Sequence, residues 1–150
     1  MKELTVQEIL GFSRDIEKES YSFYTRVETV TDDRELKTLA AELARSEEDH
    51  YNRICRLLEA ARLPQEELSA LVSLSAGDYE FLVTTRTMPE APDVRWILET
   101  ALAREISTGS VYRTLLSFTN LSEDVIKLFS DLVLQEEGHA GIIRRKLERL

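Results

Sequence analysis

Leu43-Ala44-Arg45-Ser46-Glu47-Glu48-Asp49-His50-Tyr51-Asn52-Arg53-Ile54 contains Glu-x-x-His between apolar residues, and the phrase returns once, as Glu136-Glu137-Gly138-His139. A spacing of three puts both side chains on one helix face, a turn apart. Leu43 and Leu132 precede the first glutamate of each pair by four residues. Ile54 and Ile143 follow each histidine by four. The face that carries Glu and His is therefore the apolar face. The chain has only two histidines, and both sit here. One Glu-x-x-His on a solvated face means little, because such a spacing arises freely. Two copies on apolar faces, at matching places in a repeat, point to a ligand set.

Working outward, the repeat covers most of the chain. Ile9-Leu10, Glu17 and Tyr24 fall on Ile97-Leu98, Glu105 and Tyr112 at a shift of 88. Beyond the turn the shift is 89, and Leu39, Leu43, Glu47 and His50 fall on Leu128, Leu132, Glu136 and His139. One inserted residue in the turn accounts for the change. Each half reads as one helical hairpin. The first helix is expected over about 6–29, where Ile9, Phe12, Ile16, Phe23 and Val27 recur at helical steps with Ser20 as the gap. The second is expected over about 33–61, capped by an Asp of Thr31-Asp32-Asp33 and ended by Leu63-Pro64. The third opens at Pro92-Asp93, and the fourth follows Asn120-Leu121-Ser122. All three prolines lie between Pro64 and Pro92.

The expected organisation is one all-α domain over 1–150. A hairpin over about 4–61 and a hairpin over about 93–149 are joined by a crossover over 62–92. A connection so long is unusual without structure of its own, so a short helix is expected within about 78–85. The crossover lets the second and third helices run parallel.

Glu17 and Glu105 lie inside apolar stripes, between Leu10 and Tyr24 and between Leu98 and Tyr112. A buried carboxylate needs a cation, a hydrogen-bond network or a proton. Glu17 and Glu47 each lie about 15 residues from their shared turn, or ~22 Å at ~1.5 Å per residue. Glu105 and Glu136 are placed similarly. All six side chains can thus meet at one level. Four carboxylates and two neutral imidazoles carry a formal charge that two divalent ions balance. Hard oxygen donors with one imidazole per ion suit iron or manganese, and zinc satisfies them too. Without metal the acids repel, so some take up protons or the core loosens.

Bulk properties narrow the class. A chain of 150 residues suits one domain with a sizeable core. A net charge of −9 argues against nucleic acid as the main partner. The single Cys55 excludes an internal disulfide and a four-cysteine metal site. No secretory signal follows Met1, and no apolar run approaches the ~20 residues of a membrane span. The expectation is a soluble cytoplasmic protein with no membrane partner.

These residues resemble the ferritin-like superfamily, and most closely the rubrerythrin family. Ile16-Glu17-Lys18-Glu19-Ser20-Tyr21-Ser22-Phe23-Tyr24 looks like that family's first-helix motif, and the two Glu-x-x-His phrases look like its other motifs. One Glu from each of two helices with Glu-x-x-His from each of the other two is the established di-iron bundle pattern, which this chain resembles. The resemblance implies a ferritin-like four-helix bundle holding two iron ions. Glu17 and Glu105 would be terminal ligands. Glu47 and Glu136 would bridge or chelate, and His50 and His139 would complete one ion each. Tyr24 and Tyr112 would hydrogen-bond ligand carboxylates, though plain core packing explains them as well.

The implied function is an oxidoreductase that reacts with peroxide or O2 and draws electrons from a separate donor protein. The alternatives are iron binding, storage or sensing without turnover, and a bundle whose metal only supports folding. Peroxidase-type rubrerythrins carry an extra glutamate near the third-helix ligand, where this chain has Leu102 and Thr108. It also lacks the cysteines of a rubredoxin domain. Ser20 and Thr108, each three residues past a lone acid, would leave room for a water or oxidant beside the metals, or bond their own helix backbone. A homodimer is expected. Trp96, Tyr79, Phe81 and Leu82 would supply apolar contact, and core packing accounts for them equally.

Overall fold

The computed structural model describes residues 1–60, 63–84 and 86–150. The chain begins with a short strand, β1 (Lys2–Thr5), and enters helix α1 (Val6–Val30). Thr5 and Glu8 build the entry reciprocally. The Glu8 N–H donates to Thr5 Oγ1 at 3.1 Å, and the Thr5 N–H donates to Glu8 Oε1 at 2.9 Å. Two of the helix's otherwise unpaired amides are so satisfied. Helix α2 (Arg34–Glu59) is capped by Asp33, whose Oδ1 accepts from the Leu36 N–H at 2.8 Å. It closes before Pro64, with Ala60 as its cap. Ala61, the expected end of this helix, and Thr85, the expected end of the crossover helix, lie outside the described residues.

The crossover carries more structure than its sequence suggests. A single turn, α3 (Gln65–Leu68), leads into a second strand, β2 (Leu71–Leu74), and then into α4 (Ala76–Val83). The strands pair antiparallel, with Leu4 opposite Val72 and Lys2 opposite Leu74. Leu4, Val72 and Leu74 point into the core, as alternation along a strand requires. Neither strand was expected. Each is four residues long, and its partner lies about seventy residues away, so no local period announces it.

Asp93 caps α5 (Val94–Leu116) through the Trp96 N–H at 2.7 Å. Helix α6 (Glu123–Glu148) is entered differently. The Ser122 N–H donates to Glu67 Oε2 at 2.6 Å, so a carboxylate from α3 sits at its positive end. A shift of 89 carries Arg34–Glu59 onto Glu123–Glu148, so α2 and α6 match residue for residue.

Buried apolar residues form two clusters. One gathers Ile9, Leu10, Ile54, Leu115, Phe129 and Leu132, under the strands. The other gathers Val27, Leu36, Leu43, Ile97, Leu98 and Ile143 at the opposite end. Each fully buried Leu, Ile or Phe contributes about 1.5–3 kcal/mol through removal from water. α1 and α6 run from the first cluster to the second, and α2 and α5 run back. α2 and α5 are therefore parallel, and the crossover must travel the length of the bundle. The two clusters leave a belt between them, and each of α1, α2, α5 and α6 places Glu or His in it.

Tyr79 and Phe81 pack against the first cluster, Leu82 lies within it, and Trp96 packs against the second. These side chains serve the chain's own core. No helix among the described residues is long and apolar enough to cross a membrane. Cys55 is a free, half-buried thiol.

Candidate metal centre

The belt brings together all six side chains singled out by the repeat. Glu17 comes from α1, Glu47 and His50 from α2, Glu105 from α5, and Glu136 and His139 from α6. All four carboxylates and His50 are buried. Two overlapping groups form, each with one donor atom per residue within 4.8 Å of the others. The first is Glu17, Glu47, His50 and Glu136. The second is Glu47, Glu105, Glu136 and His139. Glu47 and Glu136 belong to both, whereas Glu17 with His50 and Glu105 with His139 are the private pairs.

The distances show approximate two-fold symmetry. His50 Nδ1 lies 3.2 Å from Glu17 Oε2 and 3.1 Å from Glu136 Oε1. His139 Nδ1 lies 3.6 Å from Glu105 Oε1 and 3.4 Å from Glu47 Oε1. The imidazoles stack with centroids 6.2 Å apart. Each imidazole faces a carboxylate of its own hairpin-half and one from the facing helix of the other hairpin. These approaches are close but off-line for hydrogen bonding. Each of the six residues keeps one buried donor atom without a partner: Glu17 Oε1, Glu47 Oε1, His50 Nδ1, Glu105 Oε2, Glu136 Oε1 and His139 Nδ1. Buried polar atoms are rarely left so, and six such atoms in two overlapping groups could hold metal.

Electrostatics agree. Burial, then the charges of Glu17 and Glu105, pushes Glu47 well above the ordinary carboxylate range. Burial, then Glu105, Glu47 and Glu17, does the same to Glu136. Burial also raises Glu105, but contacts with Glu136, His139 and Tyr24 outweigh it and hold that carboxyl low. Burial pulls His50 toward its neutral form, yet the Glu17 carboxylate beside it prevails and raises its pKa. Without metal, the two shared glutamates hold their protons to higher pH than ordinary carboxylates do, as crowded acids must.

The tyrosines are crossed between hairpins. Tyr24 Oη donates to Glu105 Oε1 at 2.8 Å, and Tyr112 Oη donates to Glu17 Oε2 at 2.8 Å. Each tyrosine serves the lone acid of the other half, a partnership sequence spacing does not show. Burial first, and these carboxylates next, push both phenols well above their ordinary range, so they stay protonated donors. Ser20 Oγ accepts from Arg104 Nη2 at 2.8 Å, so that hydroxyl is engaged rather than bordering open space. Thr108 is buried.

Sequence reasoning missed the support behind His50. Its Nε2 lies 2.7 Å from Gln135 Oε1, and Gln135 Nε2 donates to Asp131 Oδ2 at 2.8 Å. Arg53 pairs with Asp131 at 2.7 Å. Asp131 turns the amide so that its oxygen faces the ring. His50 then donates from Nε2 and presents Nδ1 to the carboxylates. Gln135 directly precedes Glu136, but its counterpart at a shift of 89 is Ser46, so the repeat gave no signal.

The two private pairs differ in access. The His50 side chain is fully buried, whereas that of His139 is 15% exposed. A cavity of about 320 Å³ between α5 and α6 has Glu105 and Glu136 at its buried end and the ion-paired Arg113 and Glu137 at its exposed end. A larger cavity of about 410 Å³ lies between residues 64–70 and 118–122, where no histidine or cysteine lines it.

No protein-family model matches the chain, and no curated protein matches it. Among solved structures it is similar to a dodecameric thioferritin, the bacterioferritin-related protein from Bacteroides fragilis. The TM-score is 0.74 at 19% identity, over 96% of this chain and 84% of that one. At that identity the likeness speaks for the fold alone, and it does not single out the rubrerythrin branch. The chain has the ferritin-like helical-bundle fold, with a carboxylate–histidine cluster at its centre that could hold metal.

Proposed function

We propose that this protein binds two iron ions at the centre of its bundle and that reversible iron binding, for storage, delivery or sensing, is its function. Glu17 and His50 would hold one ion, Glu105 and His139 the other, and Glu47 and Glu136 would be shared. Tyr24 and Tyr112 would orient the terminal carboxylates. One observation carries the reading: six buried donor atoms from four helices, each without a partner, converge in two overlapping groups. Manganese and zinc meet the same donors and are the competing ions.

The test is metal stoichiometry after anaerobic reconstitution with ferrous iron. Two ions per chain are expected, with loss of both on joint replacement of Glu47 and Glu136 by Ala. Uptake that survives the double replacement would remove the site from consideration.

A second reading has its own support. The cavity that reaches Glu105 and Glu136 is a path by which a small oxidant such as peroxide or O2 could arrive. An iron pair, when bound, supplies two electrons, the number that converts one peroxide and two protons into two waters. A separate donor protein would have to return them. In that case the protein is a rubrerythrin-like oxidoreductase. Catalytic peroxide consumption with an excess of an artificial reductant separates the readings, since a storage or sensing protein reacts at most once per loading. We also propose self-association, with a homodimer as the smallest assembly. Mass measurement in solution decides it.

A further inference from the structure

The internal repeat is broken at one cluster beside the metal centre. A shift of 88 sets Ile16 against Arg104, Glu19 against Ser107 and Phe23 against Val111. The three departures meet in space. Arg104 Nη1 donates to Glu19 Oε1 at 2.9 Å, and its guanidinium lies 5.3 Å from the centroid of the Phe23 ring. Glu19 also takes Arg86 Nη1 at 3.2 Å. Arg86 in turn donates to the carbonyls of Thr84 and Phe81, which ties the crossover to α1. At the matching place in the other half, Ile16 and Val111 are buried apolar residues.

Arg104 is 4% exposed, directly precedes Glu105, and donates to Ser20, one turn past Glu17. Two guanidiniums against one carboxylate leave a net positive charge. A buried guanidinium is costly unless fully paired, yet the Arg104 Nε has no hydrogen-bond partner. The remaining compensation comes from the carboxylate centre beside it, where Glu105 is its chain neighbour and Glu17 lies one turn from its partner Ser20.

We infer that Arg104, gripped by Glu19, is a built-in counter-charge to the four-carboxylate centre, which steadies it without metal and weakens its hold on divalent cations. The inference rests on the metal-binding reading above. Arg104 makes no hydrogen bond or ion pair with the six candidate ligands among the described residues, so it acts by charge and position. A fixed positive charge in a poorly solvated interior makes each added cation less favourable, which keeps binding reversible. Glu19 moderates that charge, and Arg86 adds to it.

The test is a Co²⁺ titration of the full-length metal-free protein, read by visible absorption, with circular dichroism to verify folding. Arg104→Met should bind Co²⁺ about tenfold more tightly than wild type, by the Coulomb estimate for one unit charge nearby. Arg104→Lys, which keeps the charge, should return toward wild type. Glu19→Gln should weaken binding, because it unmasks the guanidinium. Arg86→Met removes a half-buried charge and should tighten binding, so the opposed signs stay readable if Arg104→Met does not fold. Weaker binding in both Arg104→Met and Glu19→Gln, or in both Arg86→Met and Glu19→Gln, would reduce the cluster to packing and overturn the inference. No Co²⁺ uptake by the wild type would instead overturn the metal-binding reading.

Discussion

Tyr24 and Tyr112 show how a single side chain joins the two halves. Each reaches across the bundle, so their effects should cross as well. Tyr24→Phe should couple energetically to Glu105→Gln and not to Glu17→Gln, and Tyr112→Phe the reverse. Double-mutant cycles on metal affinity measure this, with each Phe variant weakening binding roughly tenfold. Coupling within one hairpin would contradict the arrangement. The raised pKa values of Glu47 and Glu136 set a second expectation. The folded metal-free protein holds protons there that the unfolded chain releases once pH exceeds the ordinary carboxylate range. Stability from this source is complete below that range and is lost as pH rises through the raised values. Glu105, held low, acts oppositely and loses its share as pH falls. With Glu47, Glu136 and His50 raised and Glu105 lowered, the melting temperature of metal-free protein should fall between about pH 5 and 8. Metal should abolish the fall, and a flat metal-free profile would count against protonated shared glutamates.

At the scale of elements, the hairpins and the crossover depend on different signals. α2 and α6 repeat each other in every bound because their apolar periods are local, although Asp33 caps α2 from within the chain's own turn and Glu67 of α3 caps α6. The crossover is held from outside. The Val6 N–H bonds the Ala70 carbonyl at 2.9 Å, β1 pairs with β2, and Ser110 Oγ donates to Asp78 Oδ2 at 3.1 Å. Thr5 belongs to both systems, as the last residue of β1 and the cap of α1. Thr5→Ala should cost about 1 kcal/mol, the usual loss for an N-cap. A urea midpoint shift checks it, and metal stoichiometry should stay unchanged, since Glu17 lies three turns further along α1.

For the whole molecule, a polar belt between two apolar clusters makes stability depend on what fills the belt. Metal should raise the melting temperature in a concentration-dependent way. Free metal at a hundredfold excess over Kd is worth about 2.7 kcal/mol if the unfolded chain binds none. Calorimetry with and without chelator measures the difference. An unchanged melting temperature on loading would mean that the belt is satisfied without cations.

The six belt residues, the hairpins and the parallel course of α2 and α5 were legible because each follows from spacing along one helix, from the repeat or from the length of the crossover. A period of 3.6 decides which face Glu47 and His50 share, whatever lies opposite. The crossed tyrosines, the Gln135–Asp131 support of His50, the Arg104–Glu19 cluster and the β1–β2 pair were not legible. Their partners lie tens of residues apart, and two of these clusters sit where the halves differ. Which side chain meets which across a helix interface depends on the rotation and register of packed helices. Only the tertiary structure decides that, because no local pattern along the chain encodes it.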